Sequence, residues 1–270
     1  MIALAATLHD TTGALVPLAR RALPALRRLY PSGMAVATSP PTSARMVALL
    51  RDEEVWGGAP SANERGPLYR LSVRRALDTE AARIHYLDFD RALHWIGGRP
   101  RELAAVLRAA RRVPQLLLGR TEKAHRSHQR PLYATETVVN RLLADRVGWS
   151  GRVDFLAPSF VLDRNAARAL LRRSRLRDER VYGEWAAIVA TLAPEVAYLE
   201  CGGLDWETPD RHRRAVRRVG LPAWRARFET RKEWRMRIAM AEAIVSGFER
   251  AFTRPAGGSA SLVRLRPRAG

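Results

Sequence analysis

Cysteine and lysine are scarce in this chain. The single cysteine, Cys201, excludes an intramolecular disulfide and fits a reducing compartment, so a cytoplasmic protein is expected. Of 47 basic residues only Lys123 and Lys232 are lysine, which leaves arginine to carry the net charge of +20. So broad an arginine skew reflects genome composition as readily as function. The arginines run from Arg20 to Arg268 without a zinc-finger spacing, an RNP-like aromatic strand or a basic zipper, so no specific nucleic-acid partner is expected. The charge instead favours phosphate-bearing ligands and allows peripheral contact with an anionic membrane. No uncharged apolar run reaches the roughly 18 residues of a membrane span. The opening MIALAATLHD lacks a basic leader and meets Asp10 too soon for a signal peptide.

What is present is the composition of an ordinary globular protein: 270 residues, 47% hydrophobic and 27% charged. Without a repeat or a clear linker, one compact domain over 1–253 is expected, followed by a flexible basic tail over 254–270. Apolar runs at Ile2 to Leu8 and at MAVATS (34–39) alternate with amphipathic stretches at 15–29 and 44–53, and a short EEVWGG strand follows. Such alternation is that of an α/β fold, a mostly parallel sheet with crossover helices. A helix from Leu68 to about Ala82, a strand carrying Asp88, a helix in RPRELAAVLRAARR and a buried strand in VPQLLLG (113–119) continue the pattern. Beyond these, TETVVNRLLADRVG reads as helix and VDFLAPSFVLDRNAARALLRRS as strand, break, strand and helix. The helix WAAIVATLA then precedes the strand EVAYLEC, and a helical C-terminal region, one long amphipathic stretch AWRARFETRKEWRMRIAMAEAIVSGFERAF, closes the fold.

IHYLDFDRALHW (84–95) holds two aspartates one residue apart. Were the strand to continue through them, Ile84, Tyr86, Asp88 and Asp90 would share a face, and the two carboxylates could close on one hard cation such as Mg²⁺ or Mn²⁺. The competing reading is a strand end and a helix cap, with Asp90 capping RALHW. In open α/β sheets ligands sit beyond the carboxyl ends of the strands. Asp88 and Asp90 fall at such an end, as do Thr7 to Asp10 and Thr38 to Ser39.

With these three strand ends directed at one crevice, the chain resembles the GT-A class of nucleotide-sugar glycosyltransferases, in which a D-x-D follows a Rossmann-like half. The likeness continues through GRTEKAHRSHQRPLYATETVVNRL, VDFLAPSFVLDRNAARALL and YGEWAAIVATLAPEVAYLECGGLDWETP, an order similar to mannosylglycerate-synthase-like and family-two-like members. It covers roughly residues 1–215. The resemblance implies a single GT-A-like domain and a metal-dependent hexosyl transfer from a nucleotide-diphosphate sugar to a hydroxyl acceptor. It also implies Asp88 and Asp90 as ligands of a divalent Mg or Mn, with Asp88 shared with the donor. Thr7, Asp10, Ser39 and Arg70 would contact the donor, with Thr7 and Asp10 at the base or ribose. Arg120, at a strand end in GRT, would offer a guanidinium fork to phosphate. Glu184 in YGEW matches in order the acidic base of inverting relatives, although Trp185 replaces the expected aspartate. Trp206 and Glu207 would line the acceptor pocket, and His125 and His128 a loop on the acceptor side.

Two other functions remain compatible with the residues. One is a nucleic-acid-binding protein using the arginine surface. The other is a nucleotidyltransferase, although HDTTGALVPLAR supplies only Gly13 where a glycine-rich phosphate loop would follow the first strand.

Overall fold

The structure, a computed structural model, describes residues 1–253 and 260–265. Its strands are β1 (Ile2–Leu8), β2 (Met34–Thr38), β3 (Trp56–Gly58), β4 (Arg83–Tyr86), β5 (Gln115–Arg120), β6 (Phe160–Asp163), β7 (Glu195–Cys201) and β8 (Ser261–Arg264). The helices are α1 (Val16–Leu29), α2 (Ala44–Asp52), α3 (Arg65–Leu77), α4 (Phe89–Gly98), α5 (Pro100–Ala110) and α6 (Glu122–Ser127). They continue with α7 (Arg130–Val147), α8 (Arg164–Arg173), α9 (Val181–Ala190), α10 (Arg213–Val219), α11 (Leu221–Ala226) and α12 (Arg231–Ala251).

All strands join one sheet in the order β3-β2-β1-β4-β6-β5-β7-β8, in which β6 runs antiparallel to both neighbours and the other pairings are parallel. The α/β class expected from the alternation is therefore present. Helices cover both faces, and for that reason β1, β2 and β5 are buried along their whole length and read as continuous apolar runs. Leu23 and Leu26 of α1, Leu93 and Trp95 of α4 and Leu103 of α5 fill one side. Tyr69 of α3, Leu143 of α7, Trp185 of α9 and Phe248 of α12 fill the other. The chain passes from β1 through α1 to β2 on one side, while β4 lies on the other, so a topological switch point falls between β1 and β4.

Three segments depart from the sequence reading. The strand expected in VDFLA is an irregular segment, because side chains supply the partners a ladder would have supplied. Asp154 accepts from the amides of Arg120 and Leu156, its own amide donates to the Tyr198 hydroxyl, and the amide of Phe155 donates to Asn140 Oδ1. The last amphipathic stretch is broken into α11 and α12, with Thr230 capping α12 through the amide of Glu233, a Thr-x-x-Glu start. Residues 261–264, expected within a loose tail, form β8 along the edge of β7, where Glu195 through Tyr198 pair with Ser261 through Arg264. The rest of that tail, 254–259 and 266–270, lies outside the described residues.

Candidate functional site

At the switch point the chain leaves β4 at Tyr86 and turns into α4, so Asp88 and Asp90 do not share a strand face. Asp88 occupies the N-cap position of α4 without accepting a cap hydrogen bond, and Asp90 lies in the first turn. The carboxylate of Asp88 thereby lies at the carboxyl ends of β1 and β4, where Thr7 at the end of β1 donates to its Oδ1 at 2.7 Å. Asp90 Oδ1 accepts from the amide of Arg91 at 3.0 Å, and its Oδ2 accepts from Arg211 Nη2 at 2.7 Å. Burial and the neighbouring Asp90 push the Asp88 carboxyl above its ordinary range, opposed by Arg91, Thr7 and Arg65.

A second acidic group reaches this point from the far half of the sheet. Glu207 is largely buried, lies with Oε2 at 3.9 Å from Arg91 Nε, and that oxygen has no hydrogen-bond partner among the described residues. Burial raises its carboxyl, and Asp90 and Asp88 add to the effect against the pull of Arg91. Asp88, Asp90 and Glu207 thus lie within electrostatic reach of one another and of Arg91, with Arg211 paired to Asp90 and Arg65 acting on Asp88.

The segment carrying Glu207 and Arg211 is held by α4 and α5. Glu102 of α5 accepts from the amides of Gly202 and Gly203 and from the Trp95 indole. A side chain on Gly203 would overlap that indole, which is why glycine stands there. One turn after Asp90, His94 is bracketed by two carboxylates: Nδ1 lies 2.7 Å from Asp210 and Nε2 lies 3.0 Å from Asp205. A neutral imidazole has only one N–H, so both contacts as hydrogen bonds require the imidazolium. Burial opposes that charge, but the two carboxylates outweigh it and raise the His94 pKa to about 9. Arg211 completes the closure by donating both to Asp90 and to the carbonyl of His9 after β1.

Of the residues expected at the site, Thr7, Asp88, Asp90 and Glu207 lie near one another beyond the carboxyl ends of β1 and β4, and the Ser39 hydroxyl, beyond β2, is 2.7 Å from His9 Nδ1. The others have structural partners. Asp10 accepts from the amides of Ala14 and Leu15 and so holds the start of α1. Arg70 donates to Ser174 Oγ and the carbonyl of Leu176. Arg120 is not aimed at the crevice: it is fully buried, with Nε 2.7 Å from Asp154 and Nη2 2.5 Å from Glu136. Glu184 is buried, and both of its oxygens are engaged, Oε2 by the Ser174 hydroxyl and Oε1 by the amides of Arg175 and Leu176. Its carboxylate fixes the 174–176 turn and is not free to take a proton from a bound hydroxyl. Trp206 packs against Trp224 and Phe228 rather than lining an open pocket. His125 and His128 are likewise buried, under Tyr133 and Trp206.

Arg65, Arg91, Arg211 and His94 are the members that sequence reasoning passed over. For two of them a signal existed, since Asp88/Arg91 and Asp90/His94 are spaced as neighbours on one helix face. For Arg65 and Arg211, two among dozens of arginines, nothing in the sequence marked them. No helix among the described residues is long and apolar enough to cross a membrane. No family model matches this chain, and no curated protein matches it in sequence.

Proposed function

We propose that the crevice binds a nucleotide-diphosphate sugar and transfers its sugar to a hydroxyl acceptor. The observation that carries this reading is the meeting of Asp88 and Asp90, at the sheet's switch point, with Glu207 and three arginines. A Rossmann-like parallel half followed at once by the acidic pair is also the arrangement that the likeness to GT-A glycosyltransferases implies.

Asp88 and Asp90 are the residues that would hold a divalent Mg²⁺ or Mn²⁺. The unpartnered oxygen of Glu207 is a free hard-oxygen donor beside this pair, and burial disfavours the ionised carboxyls of Asp88 and Glu207, a cost that a bound cation would offset. Among the described residues no group of three or more His, Cys, Asp and Glu side chains is gathered as a metal shell, so diphosphate oxygens and water would complete it. When bound, such an ion neutralises the departing diphosphate.

The chain's own groups do the rest. Arg211 and Arg65 supply positive charge at the mouth, and Arg211 can exchange Asp90 for a phosphate oxygen, since a guanidinium fork binds either anion. Thr7 holds the Asp88 carboxylate in place. Ser39 and His9 stand where a ribose or base would lie beyond β1 and β2. The acceptor side is formed by the 205–211 segment, clamped by His94.

A thermal-shift panel of nucleoside diphosphates and nucleotide sugars, with and without Mn²⁺, tests the reading. A ligand at a hundredfold excess over its Kd stabilises the native state by about 2.7 kcal/mol. One nucleotide should raise the melting temperature, more so with Mn²⁺, and Asp88→Ala should abolish the metal-dependent part while leaving the unliganded melting temperature near that of wild type. A panel in which no nucleotide shifts the transition overturns the proposal.

A further inference from the structure

Outside the crevice, α7 and α12 leave an apolar groove of about 730 Å³ between them. Val138, Leu142 and Ile238 line it and are 69%, 42% and 58% exposed, whereas soluble surfaces seldom gather large aliphatic side chains in one place. Along the outer face of α12, Arg231, Arg235 and Ile238 follow each other at i, i+4 and i+7. Lys232, Met236 and Ala239 form the adjacent row, and all six are exposed. Arg231, Lys232 and Arg235 make no ion pair among the described residues, while the acidic Glu233 is taken by Arg237 and Glu249 by Arg146. Glu242 is the remaining carboxylate at the groove.

The charge is also local. Between Arg211 and Arg237 there are eleven arginines and lysines against two glutamates, so nearly half of the net +20 falls within this short stretch. On α10, Arg214, Arg217 and Arg218 stand exposed at i, i+3 and i+4.

We propose that the α7–α12 face docks on an anionic lipid bilayer, with Val138, Leu142 and Ile238 entering the headgroup region while Arg231, Lys232 and Arg235 bind anionic headgroups. Long basic side chains over an aliphatic patch can keep their charge at the interface while their stems lie along apolar surface. A second copy of this chain fits the face poorly, because its unpaired cations would oppose one another. A nucleic acid would satisfy the cations but leave the aliphatic groove without a partner. The inference is independent of the donor chemistry in the crevice, and its test uses no nucleotide.

The test is flotation of the full chain with phosphatidylcholine vesicles, with and without phosphatidylglycerol. Binding should require phosphatidylglycerol and weaken with salt. Each cation near an anionic surface contributes roughly fivefold in affinity. The variant Arg231→Glu/Lys232→Glu/Arg235→Glu should therefore bind at least about 100-fold more weakly, and Val138→Ser/Ile238→Ser should lose severalfold with charge unchanged. Arg20→Glu/Arg21→Glu/Arg28→Glu, on the exposed face of α1, changes the charge equally and should keep its binding; circular dichroism melts establish that each variant is folded. Equal loss in the α1 variant, no loss in the serine variant, or displacement from vesicles by duplex DNA at matched phosphate concentration would each overturn the proposal.

Discussion

His94 should make the stability of the protein fall as pH rises towards 9, and the effect should disappear in His94→Gln. Unfolded, the imidazole titrates near 6.5; folded, between Asp205 and Asp210, it titrates near 9. A group whose folded pKa lies above its unfolded one stabilises fully below the unfolded value and loses that contribution as pH climbs through the folded one. At 1.36 kcal/mol per pH unit the difference corresponds to about 3 kcal/mol. With 24% of the side chain exposed, solvent screening brings this closer to about 2 kcal/mol. Urea unfolding of wild type and His94→Gln at a series of pH values isolates the effect, because other titrating groups are common to both chains. The gap between them should be greatest near pH 6 and nearly closed by pH 10. Since His94 holds the segment that carries Glu207 and Arg211, nucleotide affinity should weaken over the same range. A gap that stays constant across this range, or an NMR titration of the His94 ring centred near 6.5, would refute the reasoning.

Arg120→Ala should destabilise by about 3 to 5 kcal/mol in chemical denaturation, since it strands the buried Asp154, whose carboxyl Arg120 holds far below the usual range against the opposing effect of burial. Nucleotide affinity measured below the melting temperature should barely change. Glu184→Gln replaces a charged acceptor by an amide that must turn an N–H towards one of its donors, so a loss of about 1 to 3 kcal/mol is expected. Its turnover, measured at a temperature where the variant is folded, should match wild type. Gly183→Ala places a methyl against the backbone of Ile244 and Phe248, where α9 meets α12, and should yield little soluble protein.

The residues that betrayed their role in the sequence are those whose role is local. Strand β1 is apolar along its whole length because it is covered on both faces, and α1 shows its buried Leu23 and Leu26 at helical spacing. The D-x-D could be placed at a ligand edge because the order of strands and helices before it already fixes that edge. Its geometry could not be read, because whether the strand runs to Asp90 or stops at Tyr86 depends on pairing with β1 and with the antiparallel β6, which comes more than seventy residues later. The same nonlocality decides between Arg120 and Arg211. Both are arginines near strand ends or turns, and in sequence Arg120 looks the better phosphate ligand. In space Arg120 meets Asp154, delivered by a segment with no regular structure, while Arg211 is carried to Asp90 by a turn that His94 and Glu102 hold from below. Glu184 likewise owes its fate to Ser174, ten residues earlier, at the end of α8. In a chain with so many arginines, the side chain that stays available for a ligand is the one whose partner can be exchanged. Arg211, partly exposed and ion-paired with Asp90 alone among the described residues, meets that condition, and Arg120, fully buried and ion-paired with both Asp154 and Glu136, does not.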